Sequence, residues 1–409
     1  LRPILNPRDW EGRDFAQSTL DVPVGTGPYT VGTFEPGRFV EFVRNPDYWA
    51  RDLPFNAGRH NVDVIRYDYF ADGGVIFEAF KAGEISTYRE GNPAKWEAEY
   101  TFPAIGRGEI VKSVFPHSRP AGLQGFVFNT RRTLFQDWRV RDALLHAFNF
   151  EFVNQTLNGG VYPRRSSYFA NSPLAMSPGP AQGEVRALLE PFAADLLPGA
   201  LEGYSLPSSN GEARNRTNLR HAAQQLAAAG WQVKDGVLRN GAGEPFRFAV
   251  MLRGSAMEDR TNLWADGLRR LGIEVTVENA DDSQYTSRRA EYDFDVIVHS
   301  WSASLSPGNE QRLYWGANGV TEPGTRNYMG MNSPAAEAMI DAMLTADSQE
   351  GFVAAARALD RVLMSGRYVV PFWFADESLM AHKAELKYPE RLPLYGDWIG
   401  FLPDVWWVE

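Results

Sequence analysis

The order of elements between residues 245 and 301 constrains the fold most. Pro245 to Leu252 alternates with the period of a strand. Thr261 to Leu271 has helical spacing closed by Gly272, and Ile273 to Val277 alternates again. A further apolar strand starts at Phe294: Phe294, Val296 and Val298 alternate with Asp295, Ile297 and His299, a run that can be buried on both faces. Strand, helix, strand and strand again is the pattern of βαβ units with crossover helices, so the chain is expected to be α/β.

The Phe294 strand runs into Trp301 and a loop of small and turn-forming residues, Ser302 to Asn309. Glu310, Gln311, Arg312, Tyr314 and Trp315 follow. Open α/β sheets place ligands where a strand's carboxyl end spills into such a loop. Aromatic side chains offer flat apolar area at low entropy cost, and polar ones can fix a ligand's orientation. The competing reading is a surface loop with two structural tryptophans.

With 409 residues the chain exceeds what one core usually supports, which predicts two lobes. Aromatics make up 13 % of the chain, enough to fill large cores and still line a binding surface. The formal net charge of -10 argues against nucleic acid and anionic membranes, both of which reward basic patches. With no cysteine, thiol catalysis, thiolate metal sites and disulfides are excluded together. No window approaches the apolar length of a membrane span, and the opening LRPILNPRDW has neither an initiator Met nor the pattern of a signal peptide. Leu1 therefore reads as an internal or processed point of a longer protein.

Towards the amino terminus, VGTGPY (Val24–Tyr29) is a glycine turn leading into two alternating segments, Tyr29–Phe34 and Arg38–Val43, joined by Glu35-Pro36-Gly37. Its GxG precedes a strand rather than a helix, so it is not a nucleotide fingerprint. His60 to Phe70 reads as a strand and Gly73 to Ala82 as a helix. In the strand-like Glu84–Glu90, Tyr88 and Arg89 can either reach a cleft or decorate an edge. GFVFN (Gly125–Asn129) is a short strand ending in a potentially ligand-facing Asn129, and Asp137–Phe148 is a helix. Residues 159–211 lack a long periodic run and read as a long connection. Helices are expected over Asn218–Ala229, from Ser333-Pro334 to Ala346, and from Ser348 to Gly366.

Signatures of catalysis are missing. The six histidines are scattered, with neither HExxH nor a pair at metal-ligand spacing, and no G-x-S-x-G elbow or phosphate loop occurs. Asp293 and Asp295 share one strand face, an arrangement that more often flanks a strand than performs acid–base work. His146 and His299 read as packed or surface residues. Nothing requires an enzyme, a metal or a cofactor.

Taken in order, VGTGPY, RNPDYW, VRDALLHAFNFEFV, LAAAGW, LGIEV, FDVIVHSW and RNYMGMNSP resemble the solute-binding proteins of bacterial ABC importers, family 5, which bind oligopeptides and dipeptides. RDLPFNAGRHNVDVIRYDYF and SLSPGNEQR are closest to the YejA-type branch. The resemblance implies a two-lobe, type II (cluster C) periplasmic-binding-protein fold with mixed sheets and a cleft that closes over the ligand. Residues 1–123 would be part of the first lobe, 124–370 the second, and 371–409 a return to the first. A long amino-terminal section of the family, with its extra subdomain, would precede this chain.

In function the resemblance implies a monomeric periplasmic binder that delivers oligopeptides to an inner-membrane ABC permease, without a cofactor. The cleft would be lined by Trp301 as a wall, by Ser302, Ser304, Glu310, Gln311 and Arg312 as polar contacts, and by Asn327 and Tyr328 as a second wall. Relatives place an Asp three residues after the loop Trp to pair with the ligand's α-ammonium; here Ser304 stands there, which leaves Glu310 as a candidate anchor. Asn149 likewise replaces a charge. A muropeptide, a peptide antibiotic or another small solute on the same fold is the alternative. From another class, a glycan-active or carbohydrate-binding protein would also use the aromatics, and as an enzyme would place two carboxylates across one pocket. An interaction scaffold would have no closable cleft.

Overall fold

A computed structural model describes residues 6–14, 17, 20–70, 73–397 and 400–409. The first five residues and Trp398 of the aromatic tail lie outside them. In chain order the strands are β1 (Tyr29–Glu35), β2 (Phe39–Arg44), β3 (Val64–Asp68), β4 (Thr87–Glu90), β5 (Ile110–Pro116), β6 (Leu123–Phe128), β7 (Gln232–Lys234) and β8 (Val237–Arg239). There follow β9 (Arg247–Arg253), β10 (Glu274–Ala280), β11 (Val296–Trp301), β12 (Val369–Pro371), β13 (Glu377–Lys383), β14 (Leu386–Lys387) and β15 (Trp407–Val408). The chain divides into two compact units, one of residues 1–117 with 377–409 and the other of residues 118–376.

The first unit holds two three-stranded sheets, β1-β2-β3 and β4-β13-β5. The β1–β2 turn forms where Pro36-Gly37 was expected to make it, with Arg38 N–H donating to Glu35 O at 3.0 Å and Gly37 at a φ of 78° that L side chains resist. β13 arrives from the far end of the chain and pairs antiparallel with both β4 and β5. Its Leu379 and Ala381 pack with Phe77, Phe80, Trp96 and Tyr100, while Met380 packs with Phe115, Phe401 and Trp406. A strand buried on both faces explains why its sequence shows no polar alternation.

The second unit is built on one mixed sheet in the order β10-β9-β11-β6-β12. β10, β9 and β11 are parallel, joined by the helices Glu258–Arg269 and Asp282–Ala290, as the βαβ pattern requires. The helix Asp282–Ala290 escapes the periodicity because only Tyr285 along it is buried; it is set by its cap, Asp281, whose carboxylate accepts from Ser283 N and Gln284 N at 2.9 Å each. β6 runs antiparallel between β11 and β12. Gly125 permits this: a Cβ there would sit 2.0 Å from Val370 O, so only glycine lets β12 approach.

One core cluster of this unit centres on Phe126, Phe128, Trp264 and Phe372, with Phe126 stacked on Trp264 at 4.4 Å. A second centres on Trp301, Trp315, Met329 and the helices Pro334–Thr345 and Gln349–Ser365. Each fully buried aromatic contributes about 1.5–3 kcal/mol by leaving water. The register pairs Trp301 with Leu123, Pro371 with Gly125 and Ala280 with Arg253. The carboxyl ends of β9, β10, β11 and β12 and the amino end of β6 therefore share one edge.

Candidate functional site

The loop after β11 occupies the predicted edge, but many of its side chains face inward. Trp301 is 2 % exposed; its indole N–H donates to Arg326 O at 3.2 Å, and its ring lies 5.0 Å from Trp315. Gln311 is buried in the helix Glu310–Trp315, accepting from Trp315 Nε1 at 2.7 Å and donating to Glu310 Oε1 at 3.2 Å.

Asn327 has no exposed surface. Its amide donates to Gly316 O at 2.9 Å and Met331 O at 2.8 Å, and its oxygen accepts from Met331 N at 3.0 Å. Asn129 is likewise enclosed, donating to Tyr292 O and Phe294 O and accepting from Arg131. Arg131 in turn clamps the carbonyls of Gly319, Val320, Asn327 and Tyr328, fixing the segment after the loop. The indole N–H of Trp301 and the amides of Gln311, Asn327 and Asn129 thus bond to groups within the fold.

Tyr328 is also mostly enclosed, 4.4 Å from the His299 ring and within 5.4 Å of the Arg289 guanidinium. His299 is squeezed between Trp301 and Tyr328. Burial, reinforced by Arg289 and Arg326, pushes its pKa down to about 3, so it is a neutral packing group at neutral pH.

Of the remaining expected residues, Ser302 and Ser304 are exposed, and Ser304 Oγ accepts from Ser306 N at 3.3 Å. Arg312 is exposed and paired with Asp341 at 2.6 Å. Glu310 is half-buried; its Oε1 accepts from Gly308 N at 2.8 Å, and no basic side chain among the described residues pairs with it. Tyr88 and Arg89 belong to the first unit. Tyr88 packs on Phe77 and Phe80, and Arg89 Nε donates to the enclosed carboxylate of Asp397 at 3.1 Å. The structure thus gathers the β11 loop residues in one unit and leaves Tyr88 and Arg89 in the other.

The same edge carries residues that the sequence reading missed. Beyond β12, the backbone of residues 163–165 pairs with that of 372–374: Arg165 N donates to Phe372 O at 2.9 Å, Phe374 N to Pro163 O at 3.0 Å, and Arg164 lies opposite Trp373. Arg260, in the first turn of the helix after β9, places its guanidinium 4.6 Å from the Trp373 ring. Nε of Arg260, Nε and Nη1 of Arg165, and Nε and Nη2 of Arg164 are buried without a hydrogen-bond partner. No salt bridge to a carboxylate forms at these arginines among the described residues. Burial alone pulls Arg165 down to about 10, and burial, opposed by Tyr204 and Glu151, pulls Arg164 to the same range. Nothing local advertises this edge in the sequence beyond the tandem arginines in YPRRSS, within a stretch that otherwise reads as connection.

Comparison with known proteins agrees with this architecture. The sequence profile of the bacterial extracellular solute-binding proteins, family 5, middle region, matches residues 4–322. The peptidoglycan-binding protein YepA of Agrobacterium fabrum is 36 % identical over 416 residues, covering 99 % of this chain and 66 % of that protein. From the same organism, a protein named "Probable peptide-binding protein YejA" is 37 % identical over 410 residues, covering 97 % of this chain and 66 % of its own length. The chain thus spans just under two thirds of these relatives. Among solved structures, the oligopeptide-binding protein AppA of Bacillus subtilis, in complex with a nonapeptide, superposes with a TM-score of 0.67 at 17 % identity, over 94 % of this chain and 66 % of that one. With strand order, lobe-like units and profile in agreement, this chain belongs to family 5 of the bacterial extracellular solute-binding proteins, with the two-lobe type II fold and YejA-type relatives.

Proposed function

We propose that this chain is the ligand-holding part of a periplasmic oligopeptide-binding component of an ABC importer, and that it grips a peptide by its two charged ends. One observation carries the reading: along one sheet edge, charges of opposite sign stand without a charged partner among the described residues. Among the described residues Glu310 has no basic partner, and Arg165 and Arg260 have buried donors with no acceptor. A guanidinium donor enclosed without an acceptor is costly, so it persists where a ligand supplies the counter-charge.

Glu310 takes the α-ammonium, the role left vacant by Ser304. Arg165 and Arg260 take the carboxylate, with Trp373 as the apolar wall beside it. Ser302 and Ser304, exposed on the same loop, serve as secondary polar contacts. No bond is made or broken in this scheme; the permease is the partner that receives the solute. The likeness to YepA favours a second reading on the same residues, a muropeptide, whose several carboxylates suit several arginines.

Native mass spectrometry of the purified protein, before and after mild denaturation, tests the reading. A ladder of released peptides is expected, and titration calorimetry with a recovered peptide should show Arg260→Met and Glu310→Gln each weakening binding tenfold or more. A single muropeptide mass selects the second reading. Peptides that bind equally well to both variants would overturn the end-gripping scheme.

A further inference from the structure

Away from the candidate ligand site, three side chains on two packed helices make a different chemical group. Asp142 and His146 stand one turn apart on the helix Trp138–Ala147, and His221 faces them from the helix Arg216–Ala228. A carboxylate oxygen of Asp142 and one ring nitrogen of each histidine lie within 4.8 Å of one another. Asp142 Oδ2 is 2.9 Å from His221 Nε2, the two imidazole rings are 4.0 Å apart, and His146 Nδ1 donates to the Asp142 backbone carbonyl at 2.9 Å, which leaves Nε2 of His146 to ligate. Two nitrogens and one oxygen in this proximity are the donor set of borderline divalent metals such as zinc and cobalt.

The surroundings orient the donors. Arg367 Nε bonds the other oxygen, Asp142 Oδ1, at 2.8 Å, which fixes the carboxylate with Oδ2 turned to the histidines. Arg367 is itself held: Nη1 donates to Pro198 O at 2.9 Å and to Ser365 O, and the guanidinium lies 4.8 Å from the Trp138 ring and 4.5 Å from the Tyr204 ring. The His221 side chain is 41 % exposed, which gives an ion an entry path and a solvent-facing fourth position. Bond lengths of about 2.0–2.1 Å require donors separated by roughly 3.3–3.5 Å, so the 2.9 Å between Asp142 Oδ2 and His221 Nε2 must open by about half an ångström.

We propose that Asp142, His146 and His221 bind one divalent transition-metal ion of the zinc class, stapling the helix Trp138–Ala147 to Arg216–Ala228. The charge of Arg367 beside the carboxylate places the expected affinity in the micromolar range rather than that of closed four-ligand zinc sites. The ion is not the transported solute, and the proposal is independent of the ligand reading.

Chelator-stripped protein is titrated with Zn²⁺ by calorimetry and with Co²⁺ by visible absorption. One equivalent should bind, with the visible bands of a four- or five-coordinate cobalt ion and a rise in melting temperature on zinc addition. His221→Ala removes an accessible side chain and leaves the Arg367–Asp142 pair intact; it should weaken zinc binding by 100-fold or more. His146→Gln provides the check from the other helix. Failure to bind zinc at 100-fold molar excess, or binding unchanged in both variants, overturns the proposal.

Discussion

Two stretches of the same sheet edge treat their polar groups in opposite ways. Around Trp301, the amides of Asn129, Gln311 and Asn327 and the indoles of Trp301 and Trp315 are consumed by internal bonds. Around Trp373, half-buried arginines hold enclosed donors with no partner among the described residues. The first stretch looks like a site in sequence because it is rich in polar and aromatic residues. Only the second encloses guanidinium donors without a partner among the described residues. A binding surface is thus recognised by what its side chains have not yet bonded, and composition does not report that.

The contrast makes graded predictions. Trp301→Ala should cost ~3–5 kcal/mol of stability, read from urea denaturation; a loss below about 1 kcal/mol would return Trp301 to the surface. Next comes pH. Folded His299 refuses a proton that the unfolded chain accepts, so its contribution is complete above about 6.5 and drains away as pH falls towards 3. At about 1.4 kcal/mol per unit, the window is worth up to ~5 kcal/mol. Wild type should therefore lose more stability between pH 7 and pH 4 than His299→Phe, and parallel profiles would refute the assignment.

Asn327→Ala should destabilise by about 2–3 kcal/mol, because Gly316 O and Met331 O lose their donors. Arg165→Met reverses the pattern: stability unchanged or raised, and peptide affinity reduced tenfold or more, about 1.4 kcal/mol. An Arg165→Met protein that unfolds easily would make Arg165 a structural residue instead. Smallest of all, Ser304→Ala should move stability by less than about 0.5 kcal/mol, and calorimetry should register peptide affinity within twofold of wild type.

The sequence carries much of the fold because alternation and helical spacing record burial directly. The parallel strands β9, β10 and β11 and the helices capped by Ser333 and Ser348 stand close to where periodicity places them. It conceals the helix Asp282–Ala290, whose exposed residues leave no apolar stripe, and β13, which is buried on both faces. The site is less legible still. Asn129 looks free at the end of GFVFN until Tyr292 and Phe294 arrive from distant chain to occupy its amide. Arg165 and Arg260 meet near Phe372–Phe374 only through tertiary pairing, a relation no local window contains.

β13 also bears on how the protein is made. During synthesis β4 and β5 leave the ribosome with a gap between them that only residues 377–383 can fill, after the whole of residues 118–376 has emerged. Residues 118–376 are contiguous and can complete their own core first; the first unit must wait with open strand edges. The nascent chain is thus most prone to aggregate late in translation, and a stop codon just before Glu377 would strand one unit unfolded beside a finished one.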